Sequence, residues 1–112
     1  EVLLRIYRGH PVGFAIFFHT YSTFLPKPVL YLEDLYIVSE WRGRGFGSEL
    51  VCYLAYLAVK RGCARMEWSV LDWNEQALKV YELLGAEPMK DWTVQRLVGT
   101  RLHKLARSFK SD

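Results

Sequence analysis

The segment Arg42-Gly43-Arg44-Gly45-Phe46-Gly47-Ser48 constrains the fold of this chain more than any other stretch. It lies between a nearly continuous apolar run, Val29 to Val38, and a helical repeat of Phe46, Leu50, Leu54, Leu57 and Ala58 that reaches Arg61 and stops at Gly62. A strand that turns through glycines into an apolar helix must lay that helix back on a sheet, which argues a layered fold. Glycine lets backbone N–H groups face a ligand without a Cβ in the way, and a helix N-terminus adds partial positive charge. With Arg42 and Arg44 beside it, the turn suits a phosphate or pyrophosphate. The spacing departs from a P-loop, because no Gly-Lys-Ser/Thr follows, and from the dinucleotide fingerprint, because the three glycines are evenly spaced. Arg-Gly boxes that bind RNA lie in disordered low-complexity chains, whereas this one is clamped between two elements. An ordinary strand-to-helix turn is the alternative reading of the same residues.

Around that unit the chain alternates strand and helix signals. Val2 to Arg8 and Val12 to Thr20 are rich in β-branched and aromatic residues and are separated by Gly9, His10 and Pro11, which predicts a hairpin. Tyr21 to Pro28 predicts a loop, and Val29 to Val38 a third strand whose apolar run is broken at Glu33 and Asp34. Arg65 to Leu71 predicts a fourth strand. Asn74 is a good N-cap for a helix from Glu75 to Leu84, with Gly85 at its end. Trp92 to Val98 predicts a further strand, and Thr100 to Phe109 a helix with Leu102, Leu105, Ala106 and Phe109 on one face. The expectation is a single domain over 1–112 with an α/β or α+β layered fold, helices packed on a mixed sheet. The helix from Phe46 is apolar almost all round and should be covered on most sides, with Cys52 buried.

At 51% hydrophobic and 24% charged residues the chain has the balance of a globular protein rather than a disordered one. The longest apolar run, Leu50 to Val59, falls short of the ~18 residues a membrane span needs, so no membrane partner is expected. The net charge of +3 comes from the tail, where Arg101, Lys104, Arg107 and Lys110 face only Asp112. A neutral body carries no broad phosphate-binding stripe, which argues against nucleic acid. Cys52 and Cys63 form no CxxC and no zinc spacing, so no metal is expected and a reduced cytoplasm fits best. Glu1 falls inside a strand-like stretch without an initiator Met, so further residues are expected upstream.

Arg42, Gly45 and Gly47 form Arg-x-x-Gly-x-Gly after an apolar strand, which resembles the acetyl-CoA pyrophosphate motif of the GNAT N-acetyltransferase superfamily. Tyr31-Leu32-Glu33-Asp34-Leu35-Tyr36-Ile37-Val38, Leu71-Asp72-Trp73-Asn74 and Tyr81-Glu82-Leu83-Leu84-Gly85-Ala86 resemble, in the right order, its diamine and thialysine acetyltransferase branch. The resemblance implies the GNAT fold, a mixed, mostly antiparallel sheet with flanking helices, whose opening strand and two helices would precede Glu1. It implies acetyl-CoA as co-substrate, a homodimer, and direct attack by a primary amine of a small molecule.

On the same resemblance, CoA is expected along Leu35, Tyr36 and Ile37, whose N–H groups at Leu35 and Ile37 a β-bulge would free. It would continue across Arg42, Gly43, Arg44, Gly45, Phe46, Gly47 and Ser48 and against Asn74, Glu75, Gln76 and Ala77. Glu33 matches the family's glutamate that takes the amine proton through water, and desolvation within an apolar strand would make it a stronger base. Asp34 faces the other side of a regular strand and reaches the site only if a bulge lies there. Tyr81 matches the tyrosine that protonates the departing thiolate, although its spacing with Leu78 and Leu84 also suits a core aromatic. Glu67, Trp68 and Ser69 complete the acceptor site with Glu33 and Asp34. The loop Tyr21-Ser22-Thr23-Phe24 lacks the Asp and Trp of the polyamine-acetylating branch, so a lysine analogue is expected ahead of a di- or polyamine. Two other functions stay open: acetylation of a protein N-terminus or lysine, and a nucleic-acid-binding module using Arg42, Arg44 and the basic tail. His10, His19 and His103 have no partner triad and read as structural.

Overall fold

β1 (Val2–Tyr7) and β2 (His10–Tyr21) are joined by two residues, Arg8 at φ 49° and Gly9 at φ 82°. Two consecutive left-handed residues make a type I′ turn, whose twist matches that of the strands it connects. The turn is therefore one position earlier than the sequence suggests, and His10 and Pro11 open β2. Pro11 is tolerated there because the ladder slips: Ile6 pairs Pro11 while Arg5 pairs Gly13, leaving Val12 as an extra residue. The computed structural model describes residues 1–21 and 26–109, so the Ser22 to Phe24 part of the acceptor loop lies outside the described residues.

β3 (Pro28–Ile37) runs antiparallel to β2, and α1 (Phe46–Lys60) crosses to β4 (Arg65–Trp68), which lies parallel to β3. The sheet order is β1-β2-β3-β4, a mixed sheet. α2 (Glu75–Leu83) and α3 (Gly99–Ala106) follow. Alternation along the strands turns Ala15, Phe17, Leu30 and Leu32 to one face, where they meet Val51, Leu54 and Ala58 of α1 as the core. Phe46, Leu50, Leu54 and Ala58 recur every four residues, so one stripe of α1 is buried.

Three expectations fail. The outer face of α1 is not covered: Cys52, Tyr53, Tyr56 and Val59 are exposed, because among the described residues α1 meets a sheet on one side only. Trp92 to Val98 forms no strand, since β propensity alone does not order a segment that no neighbouring strand pairs with. Trp92 and Val94 are exposed there. β4 ends at Trp68 rather than Leu71, where its partner β3 leaves it. The face of α3 that carries Leu102 and Leu105 is also exposed.

Candidate active site

The site begins with one surplus residue in β3. Phe17 pairs Leu32 and Ile16 pairs Asp34, so Glu33 is a bulge with no partner on β2. Pairing with β4 stops at the residue before it, Leu32 opposite Trp68. The Val38 N–H donates to the Val12 carbonyl at 2.8 Å, which sets the phase of the antiparallel ladder: residues 34, 36 and 38 bond β2, and residues 35 and 37 point the other way. The N–H groups of Leu35 and Ile37 therefore face the side that β4 has vacated. Arg42 lies on that side too, its Nε donating to the Ile37 carbonyl at 2.9 Å.

The chain then passes a 3-10 turn, Ser39–Trp41, and the glycine turn. Gly43 and Gly45 take φ of 80° and 85°, a left-handed conformation that a side chain would strain, and the space beside both is open. Gly45 is the N-cap of α1 and supplies no side chain to it. The first bond of the helix is from the Glu49 N–H to the Gly45 carbonyl at 3.0 Å, so the N–H groups of Phe46, Gly47 and Ser48 have no helical acceptor. These donors and the positive end of α1 face the β3 edge across Gly47, whose absent Cβ would lie 3.8 Å from Ile37. The N-terminus of α2 closes the far wall. Asn74 caps it, its Oδ1 accepting from the Ala77 N–H at 3.2 Å.

These three edges enclose a cleft of about 400 Å³. Leu35, Ile37, Arg42, Gly43, Gly45, Phe46, Gly47 and Ser48 line one side, and Asn74, Gln76, Ala77 and Tyr81 the other. Trp41 and Val80, which are not among the residues expected from the sequence, also line it. Their signals were there: Trp41 adjoins Arg42, and Val80 is three residues from Ala77 on the same helix face. An open strand edge at one end and free helix N–H groups at the other fit a phosphate-bearing ligand with an amide-containing arm. Among the described residues no cluster of three His, Cys, Asp or Glu could hold a metal. A second hollow, about 370 Å³ between β1 and α1, is crossed by the 3.0 Å Arg5–Glu49 ion pair and holds none of the candidate residues.

Other candidates lie outside the cleft. Tyr36 turns to the opposite face, where its ring meets Phe14 at 5.6 Å. Arg44 and Glu75 do not line the cleft wall. Glu33 and Asp34 are exposed, so the desolvation expected of Glu33 is absent: alternation from buried Leu30 and Leu32 turns Glu33 to the other face, and the bulge turns Asp34 out beside it. Glu67 pairs with Arg65, and the Ser69 hydroxyl lies 2.9 Å from that of Tyr31. Trp68 packs edge-on against Tyr81, ring centroids 5.1 Å apart, and so supports the tyrosine.

A mixed sheet splayed beside a glycine turn is the architecture of GNAT-type acyltransferases. Residues 2–86 match the Acetyltransferase (GNAT) family, and the chain belongs to it. That family draws its acetyl group from acetyl-CoA. The chain is 42% identical over 93 residues to the L-ornithine N5-acetyltransferase of Arabidopsis thaliana, covering 83% of this chain and 41% of that protein. It is 36% identical over 98 residues to the thialysine N-epsilon-acetyltransferase of Bos taurus, covering 85% and 57%. The structure of an integron cassette protein from the mobile metagenome of V. cholerae superposes with a TM-score of 0.86 at 30% identity, over 96% of this chain and 66% of that one. The chain spans about half the length of the curated relatives it matches.

Proposed function

We propose that the protein transfers the acetyl group of acetyl-CoA to a primary amine of a small molecule, the side-chain amine of a lysine analogue such as thialysine, or of a di- or polyamine. The observation that carries this reading is the single cleft into which the free edge at Leu35 and Ile37, the glycine turn and Tyr81 all open. Its relatives, an ornithine and a thialysine acetyltransferase, act on such amines by name.

Bound acetyl-CoA supplies an activated thioester carbonyl. The N–H groups of Phe46, Gly47 and Ser48 and the arginines of the turn hold its phosphates, and the N–H groups of Leu35 and Ile37 bond its amide arm. The Leu35 N–H is the donor for the carbonyl oxygen as negative charge grows there, a contact worth about 3 kcal/mol in comparable sites. An alkylamine is a cation near neutral pH, with a reference pKa of about 10.4 for lysine, and must lose a proton to become a nucleophile. Glu33, exposed on the bulge, takes that proton through a water, and Asp34 holds the ammonium beforehand. Tyr81, held in place by Trp68, gives its phenolic proton to the leaving thiolate.

The test is thiol release by the full-length protein with acetyl-CoA and a panel of lysine analogues, ornithine, diamines and polyamines. Turnover is expected with terminal primary amines. No release with any amine, or unchanged turnover in both Tyr81→Phe and Glu33→Gln, refutes the reading. The protein is further taken to be a cytoplasmic homodimer, which light scattering checks for subunit number.

A further inference from the structure

Behind the glycine turn lies a set of contacts that the reaction above does not use. The Arg44 guanidinium carbon stands 4.7 Å from the centroid of the Trp41 indole. Three rings surround that indole: His10 stacks on it at 6.0 Å, Tyr7 meets it edge-on at 5.7 Å, and Phe46 lies at 6.2 Å. Tyr7 and His10 flank the Arg8–Gly9 turn, so the tip of the β1–β2 hairpin is clamped onto the segment that enters the glycine turn.

The two arginines of the turn are held differently. Arg42 gives its Nε–H to the Ile37 carbonyl and lies against the Tyr36 ring. Arg44 has no carboxylate partner among the described residues. A guanidinium laid on an aromatic face keeps its N–H edge free, and that planar fork suits phosphate oxygens. Fixing the side chain in advance removes rotamer freedom that would otherwise be lost on binding.

We infer that Trp41 is a positioning residue for the phosphates of CoA: its indole, braced by the hairpin tip through Tyr7 and His10, holds Arg44 beside the N-terminus of α1. The inference rests on the reading that this cleft takes CoA. It makes phosphate affinity depend on a turn more than thirty residues away in the chain, and it leaves the amide arm of the ligand out of the dependence.

Calorimetric titration with CoA and with pantetheine, which carries no phosphate, separates the two ideas. Wild type should bind CoA far more tightly than pantetheine; equal binding means that the reading of the cleft itself has failed. Trp41→Ala should weaken CoA about 2- to 5-fold, the worth of one cation–π contact, and leave pantetheine unchanged. Trp41→Tyr keeps a ring face and should restore most of the affinity, which separates the contact from any loss of folding. Arg44→Gln should cost about tenfold or more, and Trp41→Ala placed on top of it should cost nothing further. Additive losses in the double variant, as an indole touching CoA directly would give, or equal losses for CoA and pantetheine, overturn the inference.

Discussion

Gly47→Ala should strengthen the fold and weaken the site. Gly47 lies in the first turn of α1 without a left-handed φ, and its added Cβ would sit 3.8 Å from Ile37 Cγ1, an ordinary contact. Replacing a helical glycine by alanine under those conditions stabilises by about 0.5–1 kcal/mol, which urea unfolding resolves. The same methyl stands between the free N–H groups of the helix and the edge of β3, where a phosphate oxygen must approach to about 2.9 Å. Losing one charge-assisted hydrogen bond costs about 1.5–3 kcal/mol, or a 10- to 150-fold rise in the Kd for CoA by calorimetry. CoA binding at wild-type strength would refute the assignment of phosphates to this turn. A fall in stability would refute the account of the space around Gly47.

Three further outcomes are expected. Gly13→Ala should destabilise by about 1–3 kcal/mol in denaturant titration, because its Cβ would meet the Tyr36 carbonyl and Ile37 Cδ1 at 2.6 Å and backbone cannot swing aside. Tyr81→Phe should lower kcat about 100-fold while leaving the Kd for CoA near wild type, since only the proton is removed. Arg61 bonds Glu1 at 2.6 and 2.9 Å, and that hydrogen bond holds the Glu1 carboxyl below the usual carboxylate range. A lowered folded pKa gives stability that is present above the ordinary glutamate value and lost as pH falls through the lowered one. Thermal melts of wild type and Arg61→Gln should therefore converge in acid. The pair is exposed, so they should also converge in molar salt.

The elements from β1 to α2 were legible because each carries its own pattern: a period of two in β2, of nearly four in α1, Asn74 and Gly85 at the ends of α2. The glycine turn was legible for a related reason, since left-handed backbone admits few residues. What failed depends on neighbours that no local pattern records. The apolar outer face of α1 and the β-rich Trp92 to Val98 both call for a covering or pairing surface, and the described residues supply neither. Glu33 has apolar neighbours in the chain, yet the alternation that buries Leu30 and Leu32 turns it to the opposite, exposed face. Tyr36 adjoins the cleft in sequence, but a strand's alternation turns its ring to the opposite face, against Phe14.

Position 33 carries two properties: a carboxylate, and a surplus of one in the count of β3. Exchanging Glu33 for glutamine removes the first and keeps the second. Deleting the residue removes the surplus as well as the side chain, and Leu32 and Asp34 would become neighbours in a regular ladder with Leu32 and Leu35 still facing α1. The strand would straighten, β4 could keep pairing past Trp68, and the gap between them would zip shut. The cleft is thus a consequence of chain length at one point, and a shortened β3 should fold well and bind nothing.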